Sequence, residues 1–300
     1  MADMGNVLVS GAGPVGLTAA LVLARAGIPV TVFEAKDELA IDLRASTWHP
    51  PTLDMLAELG LTDEIVRAGL IARHMQIRDR RSGEVAEFDM ELLRGETDFP
   101  YRVQYEQYKY TRLVHEHLKA YPHASVVFGA KVKSVAQTGA RVMVTIATRE
   151  GEARHEGDYL VGADGATSAV RESLGIEFEG HTFPERFYTA STAHDFAAHI
   201  DRLCYVNYVA DVEEWCVLLR VPGMWRCLFP TRVDEPDAEV LSDAGTEARL
   251  QALCPKSGPY ETVHRTITGC TSGPPSATRS GGSFSPATRR TSTIRSVAWE

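Results

Sequence analysis

Residues 6–34, NVLVSGAGPVGLTAALVLARAGIPVTVFE, decide the fold. Residues 6–10 form a short apolar run of the kind seen in strands buried on both faces. Gly11-Ala12-Gly13-Pro14-Val15-Gly16 follows at once and is a complete GxGxxG. Residues 17–26, rich in Ala and Leu, predict a helix that ends at Gly27. Residues 30–33 predict a second strand, closed by Glu34 and Ala35. Gly11 permits a tight turn, Gly13 lets the backbone approach a pyrophosphate, and Gly16 allows close packing of helix on strand. The helix N-terminus, opened by Pro14 and Val15, offers free N–H groups, though none from Pro14 itself, and a partial positive charge. Glu34 can accept from both hydroxyls of a ribose and disfavours a 2′-phosphate there. The expectation is a dinucleotide site; by itself it does not separate NAD from FAD.

Working outward, the 300 residues suffice for one large domain or two modest ones. With 44% hydrophobic and 24% charged residues, the chain is neither fibrous nor mainly disordered. The formal charge of −9 argues against a general nucleic-acid binder. Five cysteines without CxxC spacing read as reduced thiols rather than as a metal site or disulfide framework. No apolar run has membrane-spanning length and no secretory leader is visible. The expectations are therefore a cytoplasmic location, no membrane partner and no metal; a homodimer is left open.

A second motif lies at residues 158–171, DYLVGADGATSAVR, which reads as strand, turn and helix, with Thr167 or Ser168 as the helix cap. This stretch resembles the aspartate-glycine motif of the class A FAD-dependent monooxygenases, the aromatic hydroxylases. Arg44 in LRAST and Gln104 in YRVQ match family positions near the cofactor, and residues 52–59 followed by Gly60-Leu61 are also similar. The resemblance is strong through Ile176 and weaker to Ile267. It implies an α/β fold: a Rossmann-like FAD-binding domain (1–70 and 102–176) with a mixed α+β substrate domain (71–101 and 177–267) carrying an antiparallel sheet. It implies FAD as cofactor, NAD(P)H as co-substrate, and a small phenolic or aromatic substrate hydroxylated with O2. The flavin supplies the oxygen chemistry, so no catalytic side chain is assigned. Cofactor contacts are expected from Gly11, Gly13, Pro14, Val15, Gly16, Glu34, Ala35, Arg44, Gln104, Asp164 and Gly165.

Each carried-over residue has a structural alternative. Asp164 can cap the following helix, Arg44 can be a solvated charge, and Gln104 can satisfy a backbone group. Arg171 can pair with Glu172 or Asp164. Residues 131–135 and 141–148 read as strands of a small meander. Residues 74–79, 85–88, 186–192, 203–209, 215–221 and 225–230 read as one antiparallel sheet, and 239–253 as a helix. Candidate substrate contacts are His49, Tyr205, Tyr208, Trp215, Arg220 and Trp225, although aromatics on a sheet face are more often core. Other readings are an isoprenoid-type flavin reductase or epoxidase, an NAD-dependent dehydrogenase, and a non-enzymatic remnant of a flavoenzyme.

Residues 268–300 differ from the rest. They hold four Arg, one Glu, seven Ser and six Thr, against a net charge of −12 for residues 1–267. Composition predicts a disordered tail. The family's third motif, a glycine-aspartate followed by AAH and a GGxG turn, is absent. Back-translation of residues 285–300 with the bases regrouped one position upstream permits LAGDAAHVNNPFGGMG. The expectation is a one-nucleotide deletion near Ile267, an out-of-frame tail, C-terminal truncation and weak flavin retention.

Overall fold

The computed structural model describes residues 5–41, 43, 45–178, 180–272, 279–280 and 283–284. Arg44 and most of 268–300 lie outside the described residues. The chain divides into two compact units, residues 1–45, 107–181 and 271–300, and residues 46–106 and 182–270. This division groups 46–70 and 102–106 with the second unit, whereas the sequence boundaries group them with the first.

The first unit is built on a parallel sheet. Strand Val7–Ser10 lies between Tyr159–Gly162 and Val30–Phe33, and Ala124–Val127 extends the sheet beyond the latter. All four residues of Val7–Ser10 are buried, as a central strand covered on both faces requires. On the far side, Ser283–Phe284 pairs in parallel with Leu160 and Val161. Helix Pro14–Arg25 starts three residues earlier than the composition suggests, because Pro14 fits the first helical turn, where its missing N–H costs nothing. Leu17, Ala20, Leu21 and Ala24 are its buried face; the helix also packs on helix Gln107–Leu118, where the hydroxyls of Thr18 and Tyr110 are 2.5 Å apart.

An antiparallel meander of three strands, Lys131–Thr138, Arg141–Thr148 and Gly151–Gly157, completes this unit's core; the third strand was not anticipated from sequence. Val144 faces Val135 and Ile146 faces Val132, with a register shift between Thr145 and Ile146. The extra residue lets Val132 and Val135, three apart, both turn inward. They join Leu8, Phe33, Leu160 and Val170 in one cluster.

The second unit holds a seven-stranded sheet in the order Thr262–Ser272, His181–Thr192, Met224–Thr231, Cys216–Val221, Val206–Ala210, His74–Asp79 and Val85–Asp89. The six expected runs all belong to it. The Val206–Ala210/His74–Asp79 pair runs parallel rather than antiparallel, and Thr262–Ser272 is an added strand. Alternation divides the faces. Tyr188, Ala190, Trp225, Cys227, Phe229 and Leu218 turn to a core shared with Val240 and Leu250. Thr189, Ser191, Arg226 and Leu228 turn the other way. The single helix expected over 239–253 is two, Asp237–Val240 and Asp243–Leu253, because the Ser242 hydroxyl accepts from Gly245 N–H at 3.0 Å and starts a new helix. The helix expected at 52–59 runs Pro50–Glu58.

Candidate cofactor site

The loop between the first strand and its helix carries three glycines in three different situations. Gly11 has φ +99°, and a Cβ there would lie 2.5 Å from the Ala163 carbonyl oxygen. A Cβ on Gly16 would lie 1.9 Å from the Gly11 carbonyl oxygen. A Cβ on Gly13 would meet nothing within 4 Å. Two glycines are thus demanded by the fold, whereas the third borders open space. Gly13 is also the helix N-cap and has no side chain to close the helix end; no acidic residue stands in the first turn. The 12-residue helix presents Pro14, Val15 and the uncapped N–H groups of its first turn, an electropositive cradle for an anion.

Glu34 lies beside this loop. Its Oε2 accepts the Ala12 N–H at 2.8 Å and its Oε1 the Lys36 N–H at 3.0 Å. Each carboxylate oxygen keeps acceptor capacity for a sugar hydroxyl. Gly11 donates its own N–H to the Phe33 carbonyl at 2.8 Å, so the turn is tied to the second strand at two adjacent residues. Ala35 is exposed directly beyond Glu34.

The aspartate-glycine turn follows strand Tyr159–Gly162, which pairs directly with the glycine-loop strand. Asp164 Oδ1 accepts the Ser168 hydroxyl at 2.5 Å and Oδ2 accepts the Val170 N–H at 3.2 Å. Ser168 Oγ in turn accepts the Arg171 N–H at 3.0 Å. Asp164 therefore caps helix Ala169–Ser173, and Ser168 rather than Thr167 is the N-cap. Gly165 has φ +82° and is exposed. Arg171 donates to the Ala166 carbonyl, lies 3.9 Å from Glu172 and covers the Phe178 ring, a structural role.

The remaining expected residues lie in the second unit. Gln104 is fully buried on strand Arg102–Gln104, and its Oε1 accepts the Thr47 hydroxyl at 3.1 Å. His49 is the N-cap of helix Pro50–Glu58, and burial followed by the charge of Arg102 pushes its pKa down to about 4. Trp225 is 0% exposed within the apolar core, where it packs edge-on against Phe196 and donates to Asp195. That position corrects its assignment as a substrate contact: the helix-covered face of the sheet claims it. Arg220 lies over the Trp225 ring on that same side. Tyr208 projects from the opposite face, Tyr205 precedes strand Val206–Ala210 and is 40% exposed, and Trp215 packs on Phe187.

Arg226 was missed. It is 2% exposed on the face opposite Trp225, and its Nη1 donates to Ser46 Oγ at 3.0 Å. One charged residue inside the apolar run MWRCLFPT was the available signal. Among the described residues no group of His, Cys, Asp and Glu side chains is placed to hold a metal ion, and no helix is long and apolar enough to cross a membrane.

An uncapped helix end, a glycine with open space beside it and a carboxylate at the end of the second strand define a dinucleotide-binding fold. Residues 4–264 match the FAD-binding-domain family, and the chain belongs to that family. It is 33% identical over 264 residues to 6-hydroxy-3-succinoylpyridine 3-monooxygenase of Pseudomonas putida, covering 86% of this chain and 65% of that protein. It is 31% identical over 242 residues to para-nitrophenol 4-monooxygenase of a Pseudomonas species, covering 80% of this chain and 60% of that protein. The crystal structure of p-nitrophenol 4-monooxygenase from Pseudomonas putida is similar with a TM-score of 0.87 at 28% identity, over 93% of this chain and 71% of that one. The chain thus spans less than two thirds of the length of both curated relatives. The cradle around Gly13 and Glu34 fits FAD, the cofactor of this family.

Proposed function

We propose that this chain serves an FAD-dependent monooxygenase that hydroxylates a phenol-type aromatic with NAD(P)H and O2. The carrying observation is the glycine cradle closed by Glu34, set in a chain similar to two proteins named as monooxygenases of a hydroxypyridine and a nitrophenol. The first unit is the flavin-binding part and the second the substrate part.

In this reading the first-turn N–H groups at Val15 and Gly16 hold the pyrophosphate, and Gly13 admits it because no Cβ intervenes. Glu34 accepts from the ribose hydroxyls while keeping the Ala12 N–H fixed. The bound flavin supplies the redox and oxygen chemistry. The second unit contributes a sheet face where Leu219 and Leu228, each under a tenth exposed, exclude water around the buried Arg226 cation. A dry face with one fixed cation suits a flat ring that carries an electron-rich oxygen.

The test supplies the purified chain with FAD, NADH or NADPH, and a panel of phenols, and analyses products by mass spectrometry. A product heavier by one oxygen, dependent on FAD and labelled from 18O2, is expected. Flavin binding without any oxygenated product across the panel would overturn the reading.

A further inference from the structure

Helix Gln107–Leu118 sends one buried side chain to the first turns of the glycine-loop helix. Tyr110 is 2% exposed, and its hydroxyl lies 2.5 Å from that of Thr18. Thr18 Oγ1 in turn donates to the Pro14 carbonyl at 2.6 Å. Each hydroxyl carries one proton, and a carbonyl can only accept. The Thr18 proton is committed to Pro14, so the contact between the two hydroxyls is made with the Tyr110 proton. Burial pushes the Tyr110 pKa up to about 12, which keeps that proton on the oxygen at neutral pH. The direction is therefore fixed: Tyr110 donates to Thr18, and Thr18 to Pro14.

The far end of this relay is one amide. The Pro14 carbonyl and the Val15 N–H belong to the same planar peptide unit. A hydrogen bond to that carbonyl makes the N–H a stronger donor, because hydrogen bonds in series polarise one another. Val15 is the second residue of the helix, and Gly13 supplies no side-chain cap, so the Val15 N–H is one of the first-turn donors that the helix leaves unmade. Threonine alone does not secure the arrangement. In a helix its side chain divides between two rotamers. The Tyr110 proton holds the one in which Thr18 reaches Pro14.

We propose that Tyr110 is a positioning residue for the cofactor pyrophosphate, acting through Thr18 and the Pro14–Val15 amide. The proposal rests on the reading that the Val15 N–H holds the pyrophosphate, and it adds to that reading a residue from a different helix. Serial polarisation strengthens each bond by about 10–30%, so the expected effect is a few-fold change in affinity rather than its loss.

The test titrates FAD by fluorescence into wild type, Tyr110→Phe, Thr18→Val, Thr18→Ser and the double variant of Tyr110→Phe with Thr18→Val, each checked by thermal unfolding. Tyr110→Phe and Thr18→Val should each weaken FAD at least threefold, and Thr18→Ser, which keeps the hydroxyl, by less than twofold. The double variant should lose no more than Thr18→Val alone, because the tyrosine acts only through the threonine. Losses that multiply in the double variant mark two independent packing defects and overturn the proposal. The Val15 amide proton, followed by NMR in the 15N-labelled FAD complex, should move upfield in Tyr110→Phe. An unmoved Val15 signal overturns the proposal. If Tyr110→Phe does not fold, Thr18→Val against Thr18→Ser decides, and equal FAD affinity in those two overturns it. Wild-type FAD binding that Tyr110→Phe leaves unchanged overturns the proposal alone. No saturable FAD binding by the folded wild type overturns the cradle reading and the proposal with it.

Discussion

Glu34 Oε2 accepts the backbone N–H of Ala12 at 2.8 Å, so the carboxylate that ends the second strand also fixes the middle of the glycine turn. One side chain thereby does two things: it shapes the loop, and it presents acceptors where a ribose would lie. Glu34→Ala should lower FAD affinity at least tenfold, as expected for the loss of charge-assisted hydrogen bonds worth about 1.5–3 kcal/mol. Fluorescence titration of FAD checks this. Glu34→Gln, which keeps one acceptor, should fall between.

The close approach at Gly16 is a matter of stability rather than of ligand. A Cβ there would stand 1.9 Å from the Gly11 carbonyl oxygen, which is backbone and cannot swing away. Gly16→Ala should destabilise the fold by about 3 kcal/mol, the upper range for overpacking. Urea unfolding measures it, and an unchanged midpoint would contradict the packing described.

Ser168 and Asp164 form a linked cap on helix Ala169–Ser173. Ser168→Ala should cost about 1 kcal/mol, the usual value for a lost N-cap. Asp164→Asn, which retains an acceptor, should cost less. If Asp164 acts as the cap, both variants lower the thermal midpoint more than they change FAD affinity.

His49 makes stability depend on pH. Its pKa is about 4 in the folded chain against 6.5 for the free side chain. Between those values the unfolded chain binds more protons. The stability tied to a neutral His49 is therefore fully present above pH 6.5, is lost as pH falls toward 4, and is constant below that. The full effect is about 2–3 kcal/mol for a group that keeps some solvent contact. His49→Gln leaves the helix cap unchanged, because the imidazole makes no capping hydrogen bond. Unfolding free energies at pH 7.5 and 4.5 should differ less in the variant than in the wild type.

Much of the fold was legible because its signals are local. The GxGxxG loop, the second strand and Glu34 stand in sequence order, and the structure ties them together through Gly11, Ala12 and Phe33. The six sheet strands of the second unit were visible as β-branched and aromatic runs. Their faces were not, because Met224–Thr231 is buried along nearly its whole length and shows no polar alternation. Trp225 thus read as a ligand contact and Arg226 was passed over, although neighbouring positions on a strand point to opposite sides. The parallel pairing of Tyr208 with Ile77 was hidden for another reason: more than a hundred residues separate them, and no turn sets their register. Asp164 adds a local role the motif also allows: at this spacing it caps the helix that follows.

The central claim is that the chain holds FAD through the cradle at Gly13. Gly13→Val separates it from fold stability, because a Cβ at this position meets no protein atom within 4 Å. The measurement is FAD titration of wild type and Gly13→Val, each checked by thermal unfolding. The account predicts saturable binding by the wild type, weakened at least tenfold in the variant at an unchanged melting temperature. Equal FAD affinity in the two proteins, or no saturable binding by a folded wild type, would contradict it.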